Sequence, residues 1–143
     1  MTFINPEAFG APRGYSNGVL VEGGRLLFVA GQIAWDAEQR IVSRDFCEQF
    51  AQALRNVLTV VREAGGDATS IAQMRVYVTD KHAYTSNLKR VGAAYREVMG
   101  RHYPAMALVE VVALVEDLAQ VEIEAIACLP AAAEHRESNG EGR

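Results

Sequence analysis

The sequence predicts an α+β domain in which two helices cover one face of a mixed β-sheet. Two stretches have the apolar spacing of amphipathic helices, and shorter apolar or alternating stretches, separated by turn residues, surround them. Their order is ββαβαββ, so each helix joins two strands and some parallel pairing is expected. The 143 residues fit one domain, expected at 1–130, followed at 131–143 by a small, polar tail that is expected to be disordered.

The first two strands are predicted to form a hairpin. Apolar residues 19–21 and 26–30 flank a turn that contains Gly-Gly, which is typical of a hairpin. The second run is apolar at nearly every position, which predicts that both faces of this strand are covered. Gly31 follows, where the backbone can pass close to another group. Residues 1–12 contain two prolines and a glycine and are expected to be an extended arm with turns.

Two helices follow from the apolar spacing. The first is predicted to begin after Asp45 as N-cap, with Glu48 as capping-box partner, and to end at Gly65-Gly66. Its predicted buried face is Phe46, Phe50, Leu54, Val57 and Val61. The predicted buried face of the second helix is Tyr84, Leu88, Val91, Tyr95 and Val98, and Gly100 ends it.

The remaining strands are predicted at about 74–79, 105–114 and 119–129. The first and last of these alternate apolar and polar residues, which is typical of half-buried strands. The strands as a group are too apolar to face water on the side of the sheet opposite the helices. The chain has no element left to cover that side, so we expect self-association through it.

Three glutamates lie inside the last two predicted strands. A carboxylate in a buried strand is unfavourable unless it has a partner. Burial raises the pKa of a carboxyl group, which would suit one of these glutamates for acid–base catalysis near neutral pH. For Glu124 we expect solvent exposure or an arginine partner. For Glu110 we expect an ion pair at a subunit contact. For Glu122 a structural and a catalytic role are equally well supported.

Composition and charge exclude several function classes. The 14 Lys and Arg are outnumbered by 18 Asp and Glu, which predicts no nucleic-acid partner, and Lys89, Arg90 and Arg96 are expected to form a solvated helix face. No apolar run reaches a membrane span and no secretory pattern is present, so a cytoplasmic protein without a membrane partner is expected. Cys47 and Cys128 are expected to be buried thiols, and the three dispersed histidines predict no metal site.

Five segments share a specific order and spacing. They are GYSN from Gly14, FVAGQIAWD from Phe28, YVTD from Tyr77, YPAMALVEVVAL from Tyr103 and VEIEAIACLP from Val121. Together they resemble the RidA/YjgF family of reactive intermediate deaminases, over nearly the whole domain. The resemblance implies a chorismate-mutase-like fold and a homotrimer with three clefts between subunits. It also implies hydrolysis of reactive imines or enamines to a keto acid and ammonia, without a metal or cofactor.

The resemblance also implies where a small-molecule ligand would bind. Glu122, the first Glu of VEIEA, would be the catalytic residue that holds and polarises the attacking water. Tyr15 would lie at the mouth of the cleft, and the backbone of Gly31 would approach the ligand. The main chain near Ala107 and Leu108 would line the same pocket.

The chain departs from the family pattern at two positions. The family has an Arg after Pro-Ala that pairs with the substrate carboxylate, whereas this chain has Met106, which offers no donor. A family Asn in the second helix is replaced by Gly92. Met106 would make the pocket more apolar and suit an uncharged or aromatic ligand. Arginines that could replace the missing one are Arg13, Arg25, Arg75 and Arg101.

Three functions are therefore considered. The first is a deaminase or hydrolase of this family with a changed substrate, which Glu122, Tyr15 and Gly31 favour. The second is a trimeric small-molecule binding or regulatory protein without turnover, which Met106 favours. The third is the ribonuclease activity implied by an older family label, endoribonuclease L-PSP, and the acidic charge balance argues against it.

Overall fold

The computed structural model describes residues 1–132. The tail was predicted to be disordered over 131–143, and its residues from 133 onward lie outside the described part of the chain. The six strands are β1 Thr2–Ile4, β2 Gly18–Leu20, β3 Arg25–Gln32, β4 Ile71–Val78, β5 Ala105–Glu110 and β6 Val121–Leu129. The three α-helices are α1 Phe46–Glu63, α2 Lys81–Thr85 and α3 Leu88–Met99. Within residues 1–132 no helix combines the length and apolarity that crossing a membrane requires.

The predicted α+β class with a mixed sheet is confirmed. Four strands form one sheet in the order β3-β6-β4-β5, in which β4 and β5 are parallel and the other two pairings are antiparallel. The crossover between the parallel strands contains α2 and α3. Strands β1 and β2 form a separate two-stranded antiparallel sheet. Residues 1–132 therefore contain one strand and one α-helix more than the predicted order.

The predicted hairpin between residues 19–21 and 26–30 is wrong. Strand β2 pairs with β1, and β3 pairs with β6 along its whole length. The Gly-Gly pair between them still turns the chain, because Gly23 and Gly24 have φ values of 71° and 86°. A Cβ atom at position 24 would lie 2.5 Å from the carbonyl oxygen of Leu129. The turn is therefore packed over the end of β6 and directs β3 to that strand.

Helix α1 packs on β3 and β6, and the predicted buried face is confirmed at all five positions. Asp45 is the N-cap, and its side chain accepts a hydrogen bond of 3.0 Å from the backbone N–H of Glu48. The predicted capping box is not completed, because the Glu48 carboxylate accepts instead from the Ser43 hydroxyl. Asp45 also pairs with Arg90 of α3 at 2.9 Å, which ties the two helices together.

The predicted second helix is two helices. Between α2 and α3 the side chains of Ser86 and Asn87 donate hydrogen bonds to the carbonyl oxygens of His82 and Ala83. Such side-chain bonds compete with continuation of the helix. The break leaves Leu88 more than half exposed, whereas Val91 and Tyr95 are buried as predicted.

The side of the four-stranded sheet opposite the helices is the open face. Along β6, Val121, Ile123 and Ala125 are buried beneath the helices, and the alternate residues lie on the open face. The prediction that both faces of β3 are covered is wrong for the single chain, because Phe28 lies on the open face and is 71% exposed. Cys47 is buried as predicted, whereas Cys128 is only partly buried.

The predicted strand at 105–114 ends at Glu110. The Glu110 carboxylate accepts a hydrogen bond of 3.0 Å from the backbone N–H of Lys81 at the start of α2. The ion pair expected for Glu110 at a subunit contact stays a prediction. Residues 111–120 then form a loop that leads to β6. Val112 and Val115 in this loop are fully exposed.

Candidate functional site

Glu122 and Gly31 lie together in a cleft at one end of the sheet. Gly31 is in β3 beside a register shift between Val29 and Gln32, and Glu122 is near the start of the neighbouring β6. A Cβ atom at position 31 would lie 2.6 Å from Glu122 Oε1, so glycine leaves room for the carboxylate in the position that it occupies here. The cleft has a volume of about 330 Å³ and is otherwise lined by Ile33, Trp35, Gln39, Leu114, Val115 and Glu116. We call it the Glu122 cleft.

Two polar side chains of α1 fix the walls of the Glu122 cleft. Asn56 donates hydrogen bonds to the carbonyl oxygens of Ile33 and Trp35, at 2.9 and 3.1 Å. Gln49 is fully buried and bonds to the main chain of Leu118 and Gln120, on the loop that carries the opposite wall. The amphipathic helix α1 thus holds the two segments that carry the cleft walls by hydrogen bonds to their main chain.

Glu124 differs from Glu122 although both lie on the open face of β6. Glu124 Oε1 accepts a hydrogen bond of 2.6 Å from the Tyr77 hydroxyl and pairs with Arg75 at 3.3 Å, so of the two predicted alternatives, solvent exposure or an arginine partner, the structure shows the arginine partner. The Tyr77 hydroxyl and the Arg75 guanidinium lower the pKa of Glu124, and the same carboxylate raises the pKa of Tyr77. Glu122 makes no hydrogen bond or ion pair with any residue between 1 and 132. Its carboxylate is therefore available to a ligand or to water.

Met106 and Leu108 line a second cavity, between β5 and α3. It has a volume of about 230 Å³, and the side chains around it are mainly aromatic and aliphatic, including Tyr84, Leu88 and Tyr103. Tyr103 stacks on the buried Tyr95, with ring centroids 5.5 Å apart, and the Tyr95 hydroxyl donates to the carbonyl oxygen of His102 at 2.6 Å. Burial raises the pKa of Tyr95. We call this cavity the Met106 pocket.

None of the four arginines suggested as replacements lines the Met106 pocket. Arg75 is paired with Glu124, and the Arg25 side chain donates to the carbonyl oxygen of Pro130. The arginine that does line the pocket is Arg96, although the charge pattern predicts a solvated helix face for it. Arg96 follows Gly92 by four residues and Leu88 by eight, so all three lie on one face of the helix and in the same pocket wall. This spacing in the sequence could have identified Arg96 as a pocket residue.

The segment that contains Tyr15 runs beside the start of β5. Ser16 forms a parallel bridge with Ala105, and its hydroxyl donates to the carbonyl oxygen of Tyr103 at 2.7 Å. Gly14 lines the Met106 pocket, and Tyr15 next to it is 40% exposed. Ala107 is exposed on the open face of β5. The structure thus brings the Tyr15 segment, Met106 and Leu108 together.

Within one chain, the Met106 pocket and the Glu122 cleft are on opposite sides of the sheet. Met106 is paired in register with Met74, which is buried beneath the helices. Glu122 is paired in register with Tyr77 on the open face. In addition, β6 and β5 are separated by β4. A single chain therefore presents two separate parts of the predicted site.

The fold and these two cavities define a small α+β protein with ligand-sized sites at the edges of its sheet. The family model described as Endoribonuclease L-PSP matches residues 6–129. The chain belongs to this family, which is the RidA/YjgF family that the five sequence segments resemble.

Two relatives have names that bear on function. Human 2-iminobutanoate/2-iminopropanoate deaminase is 32% identical over 122 residues, which cover 85% of this chain and 84% of the human protein. The RutC family protein y4sK of Sinorhizobium fredii is 37% identical over 124 residues, which cover 86% of this chain and 93% of that protein.

Solved structures show the same fold. The conserved Rid family protein YyfB of Yersinia pestis superposes with a TM-score of 0.81 at 33% identity and covers 90% of this chain and 98% of its own. E. coli TdcF, solved with bound serine, has a TM-score of 0.64 at 31% identity and covers 83% of this chain and 91% of its own. In the part of the chain that the structure describes, no three His, Cys, Asp or Glu side chains are grouped so that they could hold a metal ion.

Proposed function

We propose that this protein hydrolyses a reactive imine or enamine in a cleft that forms between the subunits of a homotrimer. The observation that carries the proposal is the Glu122 carboxylate, which has no partner between residues 1 and 132 and lies against Gly31 in a cleft with mainly apolar walls. The deaminase names of relatives at 32% identity support the reaction class. The serine bound in E. coli TdcF supports a small organic ligand for this fold.

Glu122 would act as general base and then as general acid. The carboxylate accepts a proton from a water molecule while the water oxygen attacks the carbon of the protonated imine, which gives a neutral carbinolamine. The carboxyl group then returns this proton to the nitrogen. As the C–N bond breaks, the carbinolamine hydroxyl gives its proton to the carboxylate and becomes the carbonyl oxygen, and the departing ammonia takes up that proton and leaves as ammonium. An enamine substrate would first tautomerise to the imine. Every atom comes from substrate and water, and no cofactor is needed for the proton balance.

The homotrimer would bring the two separate parts of the site together. The open face exposes Phe28, and a groove of about 520 Å³ runs from Phe28 to Arg75 and Glu124. Packing of three such faces would cover the apolar side chains that line this groove beside the Arg75–Glu124 pair. The edge of one subunit, with the Met106 pocket, would then adjoin the Glu122 cleft of the next. A chorismate-mutase-like assembly and a cytoplasmic location are part of the same proposal.

A test of the reaction is ammonia release from a panel of freshly generated imines and enamines. Wild type is expected to accelerate release from at least one member, and Glu122→Gln is expected to lower kcat/KM by about 100-fold or more because it removes the base. Glu124→Gln is the matched control, since this carboxylate lies on the same strand face but is already paired. Equal rates for wild type and Glu122→Gln would contradict the proposed role.

Met106 favours a second candidate function, a small-molecule binding or regulatory protein without turnover. The test includes Met106→Arg, which restores the family's arginine at this position. If wild type is inactive and Met106→Arg hydrolyses 2-imino acids, the scaffold is competent and its own ligand is a different molecule. If wild type binds a ligand but none of the variants turns over any imine, the binding role is favoured. Ribonuclease activity would have to survive stringent purification, and the net charge of −4 argues against it.

A further inference from the structure

We propose that the Met106 pocket binds an organic acid, with Arg96 as the group that receives its carboxylate and the apolar walls as the receptor for its hydrocarbon body. The proposal rests on the proposed function only in taking this cavity as the ligand site, and it names the class of ligand. It assigns the anion-binding role to a residue of α3, whereas Met106 occupies the corresponding wall on β5.

The shape and lining of the pocket select an apolar body. The volume of about 230 Å³ exceeds the roughly 150 Å³ of an apolar cavity that accommodates one benzene molecule, so a ring or branched alkyl group with a carboxylate fits. Tyr84 and Tyr103 offer aromatic surface, and Met106 and Leu108 offer aliphatic surface. Methionine adapts its shape to an irregular neighbour more readily than other aliphatic side chains, which suits a wall that receives a ligand.

The charge of the pocket selects an anion. Arg96 is the cationic side chain of the lining, and the lining contains no Asp or Glu. Among residues 1–132, no carboxylate lies within ion-pairing distance of the Arg96 guanidinium, whereas the neighbouring Arg90 is held by Asp45. A guanidinium pairs with a carboxylate through two parallel hydrogen bonds, and its partner would be half-enclosed by apolar walls. The pocket therefore provides a positive charge that the chain itself does not neutralise.

The Arg96 side chain lies in the space left by the missing side chain of Gly92. The two residues are one helical turn apart, and a Cβ atom at position 92 would lie 3.3 Å from Arg96 Nη1. That distance is tighter than ordinary van der Waals contact, so a Cβ atom at position 92 would require the guanidinium to shift by a few tenths of an ångström. The glycine costs about 1 kcal/mol of helix stability relative to alanine, and the space that it leaves is a physical reason for it.

The proposal is tested by binding of matched acids and amides to the full-length protein. The probes are phenylacetate and 4-methylpentanoate, each compared with its uncharged primary amide, and dissociation constants come from amide chemical-shift titrations. Wild type is expected to bind each acid about tenfold more tightly than its amide, with shifts centred on Gly92 and Leu108. Arg96→Gln is expected to abolish the preference, and Arg96→Lys to retain part of it. Arg101→Gln is the control, because Arg101 is exposed just beyond α3 and does not line the pocket.

Three results would overturn the proposal: equal affinity of wild type for acids and amides, an acid preference that survives in Arg96→Gln, or no binding of any probe at millimolar concentration. Thermal unfolding of each variant shows whether it is folded. The outcome is distinguishable from failure of the proposed function, because binding is measured without turnover. A protein that hydrolyses no imine but binds acids through Arg96 would refute the reaction and support this inference, and Glu122→Gln is expected to keep the acid preference.

Discussion

The Glu122 carboxylate lies against the backbone of Gly31, so closely that a Cβ atom at position 31 would be 2.6 Å from Oε1 and 2.8 Å from Cδ. Two adjacent strands bring these residues together, and the register shift in β3 places Gly31 beside β6 at this point. The absence of a side chain at position 31 therefore leaves the space that the carboxylate occupies. This relationship makes the position of Glu122 testable without changing Glu122 itself.

Gly31→Ala is expected to displace the Glu122 carboxylate, because the flexible end of that side chain yields more easily than two paired strands. A misplaced base loses alignment with its water, so kcat/KM for the best imine substrate should fall by at least about tenfold. The melting temperature should change little. Gly18→Ala is the matched control, since it also lies in a strand and its Cβ would meet only Ile4 at an ordinary 3.5 Å. Unchanged kcat/KM in Gly31→Ala would contradict this account of Glu122.

Asp45 links helix capping to the acid stability of the protein. The Arg90 guanidinium and the backbone N–H of Glu48 lower the pKa of Asp45 below its ordinary value of 3.8. Because the folded-state pKa is the lower one, this stabilisation is present above pH 3.8 and is lost as the pH falls below 3.8 through the folded-state value. Its size is reduced by solvent, since the side chain is 39% exposed.

Two substitutions separate the cap from the charge of Asp45. Asp45→Ala is expected to lower the free energy of unfolding by about 1 kcal/mol at neutral pH, because the first turn of α1 loses its acceptor. Asp45→Asn retains an acceptor and should cost less, and its deficit relative to wild type should shrink as the pH falls from about 6 to 3. Urea unfolding at one fixed protein concentration measures both. A deficit of Asp45→Asn that is constant with pH would contradict the assigned pKa shift.

Phe28 is expected to lie in the trimer interface. Phe28→Glu would place a charge on the open face and remove burial worth about 2 kcal/mol per subunit, so the variant should dissociate to monomers at micromolar concentration. Phe9→Glu is the control, because Phe9 is equally exposed, at 73% against 71%, but lies in a short turn away from this sheet. Sedimentation velocity or native mass spectrometry gives the oligomeric state. A wild-type monomer, or a trimeric Phe28→Glu, would contradict the interface.

Local patterns in the sequence predicted the elements that bury their own apolar side chains. The alternation in β6 and the spacing in α1 identified the core residues, because each pattern has the period of one element packed on one neighbour. The Asp45 cap was also predicted, and for Glu124 an arginine partner was one of the two predicted alternatives, although Arg75 was not named as that partner. The prediction of a hairpin was wrong because the apolar residues of β2 and β3 indicate that each segment is a strand but do not determine its partner strand. The break between α2 and α3 depends on Ser86 and Asn87 side-chain bonds that a helical apolar spacing does not reveal.

The site was harder to predict than the core. The resemblance gave Glu122, Gly31 and Met106, but a list of residues along a chain does not say that Met106 and Glu122 lie on opposite faces of one sheet. Arg96 was expected to face solvent because it lies near Lys89 and Arg90 in the sequence, and a group of charged residues on a helix usually faces water. In the folded helix, its side chain lies beside Gly92, which has no side chain, and therefore reaches the wall of the Met106 pocket.

The most direct test of the central claim, a site shared between subunits, is a mixing experiment. Glu122→Gln removes the base, and Gly92→Phe fills the Met106 pocket, so each variant alone should be inactive on the imine that wild type hydrolyses fastest. After the two are unfolded, mixed in equal amounts and refolded, the mixture should recover about a quarter of wild-type activity, because each mixed cyclic trimer contains one cleft built from two intact parts. A mixture that forms mixed trimers and stays inactive would contradict the claim, since it would place both parts of the site in one chain.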